Sequence, residues 1–207
     1  MTPDRSPHPF PTLEFEQNLW NDGFLRIAGI DEAGRGAWAG PVAAAAVILP
    51  VDPSLTLTLN RVRDSKLMTA RAREAWAPRI KESAAGWGVG FASAGEIDSL
   101  GILPATKLAA RRALKNLSPD YLITDYLIFS EIDLPQTALV KGDQRSLSAA
   151  AASVLAKTTR DALMRTMDGH YPGYGFARHK GYGTRLHQEA IRILGRCEIH
   201  RNSFSIP

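Results

Sequence analysis

The stretch LRIAGIDEAGRGAWAGPVAAAAVIL, Leu25 to Leu49, constrains the fold more than any other part of the chain. Mostly apolar residues from Leu25 to Ile30 run directly into Asp31 and Glu32, which reads as a buried strand delivering two acids at its end. A glycine-rich turn follows, and Pro41 to Leu49 resumes an apolar run, so the turn joins two strands as a wide hairpin. A strand after the turn, and the spacing G-x-G-x-x-x-G, set it apart from a dinucleotide-binding loop, which opens a helix. The uncharged run Gly40 to Val51 is too short to cross a bilayer and reads as a buried strand.

Downstream, strands and helices alternate, the pattern of an α/β domain. Thr69 to Ala84 has helical spacing with Thr69 as cap, and Gly86 to Ala94 reads as a third strand. Glu96 to Leu117 carries an apolar stripe that Gly101 and Pro104 divide into a short and a longer helix. Tyr121 to Ile123 forms a fourth strand ending at Asp125, and Thr137 to Val140 a fifth just before Lys141, Gly142 and Asp143. Ser146 to Thr166 is a small-residue helix whose run Ala149 to Ala152 suits close packing across a sheet. Tyr171 to Gly183 reads as a functional loop, Thr184 to Leu194 as a helix, and His200 to Phe204 as an irregular tail. Residues 1–23 mix prolines and charges without an apolar run and are expected to be a flexible leader. Residues 24–207 are then one domain, with a helical extension from about residue 168.

Asp31, Glu32, Asp125 and Asp143 each fall at or just past the end of an apolar run, so a shared sheet would gather four carboxylates at one edge. Such a cluster invites a hard divalent cation, Mg²⁺ or Mn²⁺, which relieves the mutual repulsion of the acids. Two ions held there can activate water and stabilise a leaving 3′ oxygen in phosphodiester hydrolysis. No Ser, His and Asp arrangement competes, because Ser146, Ser148 and Ser153 lie in a helix without a nearby base. Cys197, the one cysteine, excludes an intramolecular disulfide and a multi-cysteine zinc site and agrees with a reducing, cytoplasmic setting. A net charge of +4 leans toward a polyanionic partner.

The segment GIDEAGRGAWAGP, Gly29 to Pro41, closely resembles the opening motif of the ribonuclease HII family. Asp64, Ser65 and Lys66 match that family's DSK motif. EIDSLGILPATKLAARRAL, KGDQRSLSAAAASVLAKTTRD, YGFARHKGYGT and HRNSF resemble its later signatures, so the resemblance runs from about Leu25 to Phe204. It implies an RNase H-like α/β fold with a mixed five-stranded sheet flanked by helices and a small helical C-terminal extension. It also implies a metal-dependent endoribonuclease that cuts the RNA strand of RNA/DNA hybrids and DNA duplexes at embedded ribonucleotides, leaving 3′-hydroxyl and 5′-phosphate ends. Asp31, Glu32, Asp125 and Asp143 would be the catalytic metal ligands. By motif position, Gly34, Arg35, Gly36 and Tyr182 would contact the ribonucleotide 2′-hydroxyl, with His179 and Lys180 beside phosphate. A role in removing ribonucleotides from DNA, a monomeric state and no membrane association complete the expectation.

One departure stands out, since the family writes the third acid as Asp-Gly and this chain has Asp125-Tyr126, where the backbone is open to differ. Glu131 and Asp133 are the alternative acids in that region. Asp64 and Lys66 read equally as caps of the following helix or as substrate contacts. Asp161 beside Arg160 reads as a surface ion pair or packing contact, and His170, His187 and His200 as surface or packing residues. Two rival classes share parts of this pattern. A DNA nuclease of the same fold would keep the acids without reading the sugar, and a basic binding module would gain nothing from clustered acids.

Overall fold

The computed structural model describes residues 10–206. Helix α1 (Glu14–Asn21) precedes strand β1 (Ile27–Ala33), which turns into β2 (Val42–Ile48). Helices α2 (Leu55–Thr58) and α3 (Ala70–Ser83) lead to β3 (Gly86–Ala92), and α4 (Ala94–Leu100) and α5 (Ile102–Leu114) lead to β4 (Tyr121–Asp125). After β5 (Gln136–Leu139) come α6 (Leu147–His170), α7 (Phe176–His179) and α8 (Arg185–Leu194).

The strands form one mixed five-stranded sheet in the order β3-β2-β1-β4-β5, with the expected helices around it. The connection from Ala33 to Val42 is too short for a parallel crossover, so β1 and β2 pair as a hairpin. β4 runs parallel to both β1 and β5. Every residue of β2 is buried, as its unbroken apolar sequence requires.

Local capping chemistry places the helix ends close to where the sequence marks them. The Thr69 hydroxyl accepts the Ala72 N–H at 3.2 Å, and Ser93 and Glu96 close a reciprocal capping box. Gly101, at φ +85°, divides α4 from α5. Pro104 sits in the first turn of α5, where its missing N–H has no partner to lose.

The chain divides into two interleaved compact units. The first takes in the chain up to Asp31 with Val47–Gly86 and Ser118–Val154; the second takes in Glu32–Ala46, Trp87–Leu117 and the chain from Leu155 onward. In the first unit β1 and α6 touch backbone to backbone. A Cβ at Gly29 would lie 2.2 Å from the Ser148 carbonyl carbon and 2.3 Å from the Ala149 nitrogen. The small residues of α6 make that approach possible, and residues 146–156 are buried throughout.

Residues expected to be a loose leader behave differently where they are described; residues 1–9 lie outside the described part. α1 packs Phe15, Leu19 and Trp20 against Ile27, Ile123, Leu139 and Ala149. The buried Glu16 carboxylate accepts the Ser148 N–H at 2.9 Å and the hydroxyls of Ser146 and Ser148 at 2.6 and 2.7 Å. A carboxylate at the N-terminus of α6 is favoured by the free N–H groups and the helix dipole there. In the second unit the tail is irregular but pinned. The Asp98 carboxylate accepts the N–H groups of Asn202 and Ser203, each at 2.9 Å, and Arg201 N–H donates to the Trp38 carbonyl.

A methyl group has no room at Gly29, so Gly29→Ala should destabilise the protein by roughly 3 kcal/mol or prevent folding. Gly95→Ala, in open space on α4, should stabilise it by about 0.4–1 kcal/mol. Urea denaturation of the two variants side by side checks both signs.

Candidate active site

The parallel register of β1 and β4 brings the first acids together. Ile30 pairs with Thr124, so the next positions along the two strands are Asp31 and Asp125, on chains that run about 5 Å apart in a sheet. The Asp125 carboxylate accepts the Gly142 N–H at 2.9 Å, which draws the short 3₁₀ turn Gly142–Gln144, and Asp143 within it, to the same edge. Asp31 and Asp143 are 3% exposed, and Asp125 is half-buried. Glu32, half-buried, follows Asp31 directly inside β1; both acids lie within the strand rather than past its end.

Asp64 joins this group, and sequence reasoning left it outside the acidic set although the DSK motif marks it. It is 5% exposed, and its carboxylate accepts the Lys66 N–H at 2.9 Å, capping a 3₁₀ turn, and the Gln144 side-chain N–H at 3.2 Å. Asp143 is pushed up to about 7, first by burial, then by the Asp64 and Asp125 charges, with a hydrogen bond to the Asp64 carboxyl adding to the effect. For the exposed Lys66 ammonium, burial opposes charge, but the fields of Asp31, Asp64, Asp143 and Asp125 together outweigh it and raise its pKa. Four carboxylates therefore act on one lysine.

The hard oxygen donors and the strain of their mutual repulsion fit a divalent cation. Among the described residues, no three acid, imidazole or thiol side chains stand closed around a single ligand position. Asp64 and Asp125 turn toward N–H donors, and Asp143 shares a hydrogen bond with the Asp64 carboxyl.

Tyr126 resolves the departure after Asp125. It takes φ +67°, the left-handed conformation a glycine would hold, with its side chain 71% exposed. The backbone therefore keeps the glycine-like turn, at a steric cost of about 1–2 kcal/mol. Lys141 and Lys180 are also left-handed, at φ +57° and +55°, and each lies beside an expected site residue.

The second unit holds the Gly-Arg-Gly turn and the HKGYG loop on two buried guanidinium groups. Arg201 donates to the carbonyls of Gly34 (2.7 Å), Arg35 (2.7 Å) and Gly40 (3.0 Å). Arg160 donates to those of Ala39 (3.2 Å), Pro41 (2.8 Å) and Lys180 (2.9 Å). Gly34, at φ +93°, passes so close that a Cβ would lie 2.0 Å from Arg160 Nε, whereas Gly36 faces open space. The Arg35 side chain pairs with Glu32 at 3.1 Å. Ala37 and Tyr182 form a bridge between the two loops. The half-buried Tyr182 ring lies under two cations, Lys157 Nζ at 5.2 Å and the Arg160 guanidinium at 5.4 Å.

His179 departs from the expected phosphate contact. It is buried, one ring nitrogen lies 2.8 Å from the Tyr174 carbonyl, and the other accepts the Gly181 N–H. With both nitrogens engaged and burial lowering its pKa, the ring braces the loop as a neutral group. Lys180 donates to the Ala177 carbonyl and gives its own carbonyl to Arg160. His187 and His200 are packing residues joined at 3.1 Å, and burial lowers His187 to about 4. Asp161 pairs with Lys157 at 2.8 Å, an ion pair mostly withdrawn from solvent rather than a surface one.

Residues 28–206 match the family model described as Ribonuclease HII. A ribonuclease HII of Syntrophotalea carbinolica is 53% identical over 93% of this chain and 91% of the relative. One from Thermus thermophilus is 50% identical over 92% and 91%. Among solved structures, the PCNA:RNase HII complex from Archaeoglobus fulgidus superposes with a TM-score of 0.75 at 24% identity, covering 88% of this chain and 96% of that one. Bst-RNase HIII in complex with Mn²⁺ gives 0.68 at 20% identity, covering 87% and 67%. Fold and relatives together define a nuclease, a hydrolase of the ribonuclease H class. The chain belongs to the ribonuclease HII family, whose members depend on divalent metal.

Two expectations follow. Tyr126→Gly removes the left-handed strain and should stabilise the protein by about 0.5–1 kcal/mol after glycine's entropy cost, read as a higher melting temperature. The second concerns Asp143, raised from 3.8 to about 7 in the metal-free fold. Between those values the folded chain holds a proton that the unfolded chain has released, so this group lowers stability as pH rises through the window. Asp143→Asn should therefore melt higher than wild type at pH 8 without metal, with the difference shrinking toward pH 4. Equal melting temperatures across that range would contradict the shift.

Proposed function

We propose that this ribonuclease H endonuclease cuts the RNA strand of RNA/DNA hybrids, and DNA duplexes at embedded ribonucleotides, to leave 3′-hydroxyl and 5′-phosphate ends. The observation that carries the reading is the convergence of Asp31, Asp64, Asp125 and Asp143 on Lys66, with Asp143 raised by burial and then by its acidic neighbours. A pure binder of polyanions has no use for such an edge. Asp31, Glu32, Asp125 and Asp143 would hold Mg²⁺ or Mn²⁺, which supplies an activated water and stabilises charge on the leaving 3′ oxygen.

The remaining roles fall to the chain's own groups. The Lys66 ammonium is exposed beside the acids, suited to a non-bridging phosphate oxygen. At Gly36 the open main chain admits the close approach of a ribose, and the carbonyls held by Arg160 and Arg201 keep the turn in one shape. Tyr182 offers its ring to the sugar, and Lys180 and Arg35 supply positive charge at the same two loops. A DNA nuclease has no need of this second group, which favours a ribonucleotide target. Removal of ribonucleotides from DNA and work as a cytoplasmic monomer belong to the same proposal, as does a single catalytic domain that takes in α1 together with residues 24–207. Among the described residues no helix is long and apolar enough to cross a membrane.

The test is cleavage of a DNA duplex carrying one ribonucleotide, with and without Mg²⁺. Asp31→Asn should abolish cutting while leaving duplex binding intact. Tyr182→Ala should lose at least about tenfold in kcat/KM, whereas Tyr182→Phe, missing one hydrogen bond worth about 0.5–1.5 kcal/mol, should lose about two- to tenfold. A folded Tyr182→Ala that cuts as fast as wild type removes this residue from the site. Recovery of 2′,3′-cyclic phosphate ends would overturn the water-attack mechanism itself.

A further inference from the structure

Several stretches of this chain carry a basic surplus, and one of them contains Lys66 at the acidic edge. Between Leu55 and Ser83 stand seven Lys and Arg against three Asp and Glu, a surplus of four equal to the formal charge of the whole chain, +4. The rest of the chain is neutral in sum. Within this segment, in the first compact unit, lies a groove of about 400 Å³ lined by Leu57, Thr58, Asn60, Arg61, Trp76 and Arg79, together with Ala75. The Arg79 guanidinium lies over the Trp76 ring, 5.0 Å from its centroid. Neither Arg61 nor Arg79 makes an ion pair among the described residues.

We propose that this groove binds the phosphate backbone of the duplex flanking the cleaved bond. Arg61 stands five residues before Lys66, and five extended residues span at most about 18 Å. Base pairs rise about 3.4 Å each, so Arg61 lies no further from Lys66 than about five base-pair steps. A guanidinium stacked on an indole keeps its planar face covered and its N–H edge turned to solvent, the arrangement that suits a phosphate oxygen. Asn60, Thr58 and the indole N–H add uncharged donors of the kind that fix a sugar-phosphate chain. Trp76 and Leu57 give the same groove an apolar surface for the sugars.

This inference rests on the duplex substrate proposed above, and the experiment separates the two. Binding of a fluorescent RNA/DNA hybrid by the full chain is followed by anisotropy, with Ca²⁺ present, over about 50–300 mM KCl. Arg61→Gln/Arg79→Gln should weaken binding about tenfold at the low-salt end and reduce the log–log salt slope by about 2, one unit for each phosphate that is no longer neutralised. Saturating kcat should stay within about twofold of wild type, because neither residue touches the acids. Lys115→Gln/Arg196→Gln removes the same charge elsewhere and should leave the slope unchanged. Equal loss in both double variants would reduce the effect to net charge and overturn the site. An unchanged slope in the groove variant, with wild type still binding and cutting, overturns the site and leaves the proposed function standing. Preferential capture of an acidic peptide by the groove, with the duplex slope unaltered, assigns it to a protein partner and likewise overturns it. Failure of wild type to bind or cut any hybrid sinks the proposed function instead.

Discussion

Two guanidinium groups without a carboxylate bonded to them organise the second compact unit. Arg160 and Arg201 are both fully buried, and together they bond six main-chain carbonyls of the turns around residues 34–41 and 180. Burial lowers both, Arg201 to about 9, which leaves Arg201 charged at neutral pH. A buried cation is tolerated only where its donors are satisfied, and irregular turns are tolerated only where their carbonyls are. Each solves the other's problem. The requirement for glycine at position 34 follows, since any side chain there would enter the space of Arg160.

The acidic edge has the opposite character. Its carboxylates are gathered by strand register and by the Asp125 bond to Gly142, and the result is mutual repulsion rather than satisfaction. A fold optimised for stability alone would not place Asp31, Asp64 and Asp143 together out of solvent. Local strain accumulates at the same places, with Tyr126 and Lys141 left-handed on either side of the Asp125 turn. Such conflicts between local rules and the global fold mark functional positions.

Most of the framework was legible because its signals are local. The five strands, the Thr69 cap, the break at Gly101 and the small-residue face of α6 all follow from neighbours in sequence. What escaped depends on partners far along the chain. α1 reads as part of a leader because residues 1–23 mix prolines and charges without an apolar run, and its anchor, the bond from Glu16 to the start of α6, reaches 132 residues along the chain to Ser148. Asp161 beside Arg160 reads as a surface ion pair or a packing contact; the Arg160 guanidinium turns inward to carbonyls, and Asp161 pairs with Lys157 largely out of solvent. His179 looked like a phosphate neighbour because it sits in a glycine-rich basic loop, but both of its nitrogens are spent on main-chain groups of that loop. Tyr126 shows the reverse case. The side chain departs from the family's sequence pattern while the backbone takes a conformation open to glycine, because the turn is held from outside by Tyr126 N–H to the Leu139 carbonyl and by Gly142 N–H to the Asp125 carboxylate.

The charge layout gives these parts a common logic. A nuclease of this kind must admit a polyanion to an edge that is itself anionic, and uniform positive charge would neutralise the acids as readily as it attracted the substrate. The chain separates the two functions along one segment. Asp64 and Lys66 turn toward the acids, while Arg61 and Arg79, before and after them, stay unpaired at the surface. Attraction at the flank falls off over about 8 Å at physiological salt, so cationic charge there leaves the field at Asp143 largely intact. The same segment thereby adds a lysine to the acidic edge and cationic surface beside it. A net charge of only +4 is therefore compatible with a strongly acidic centre that has cationic surface close by.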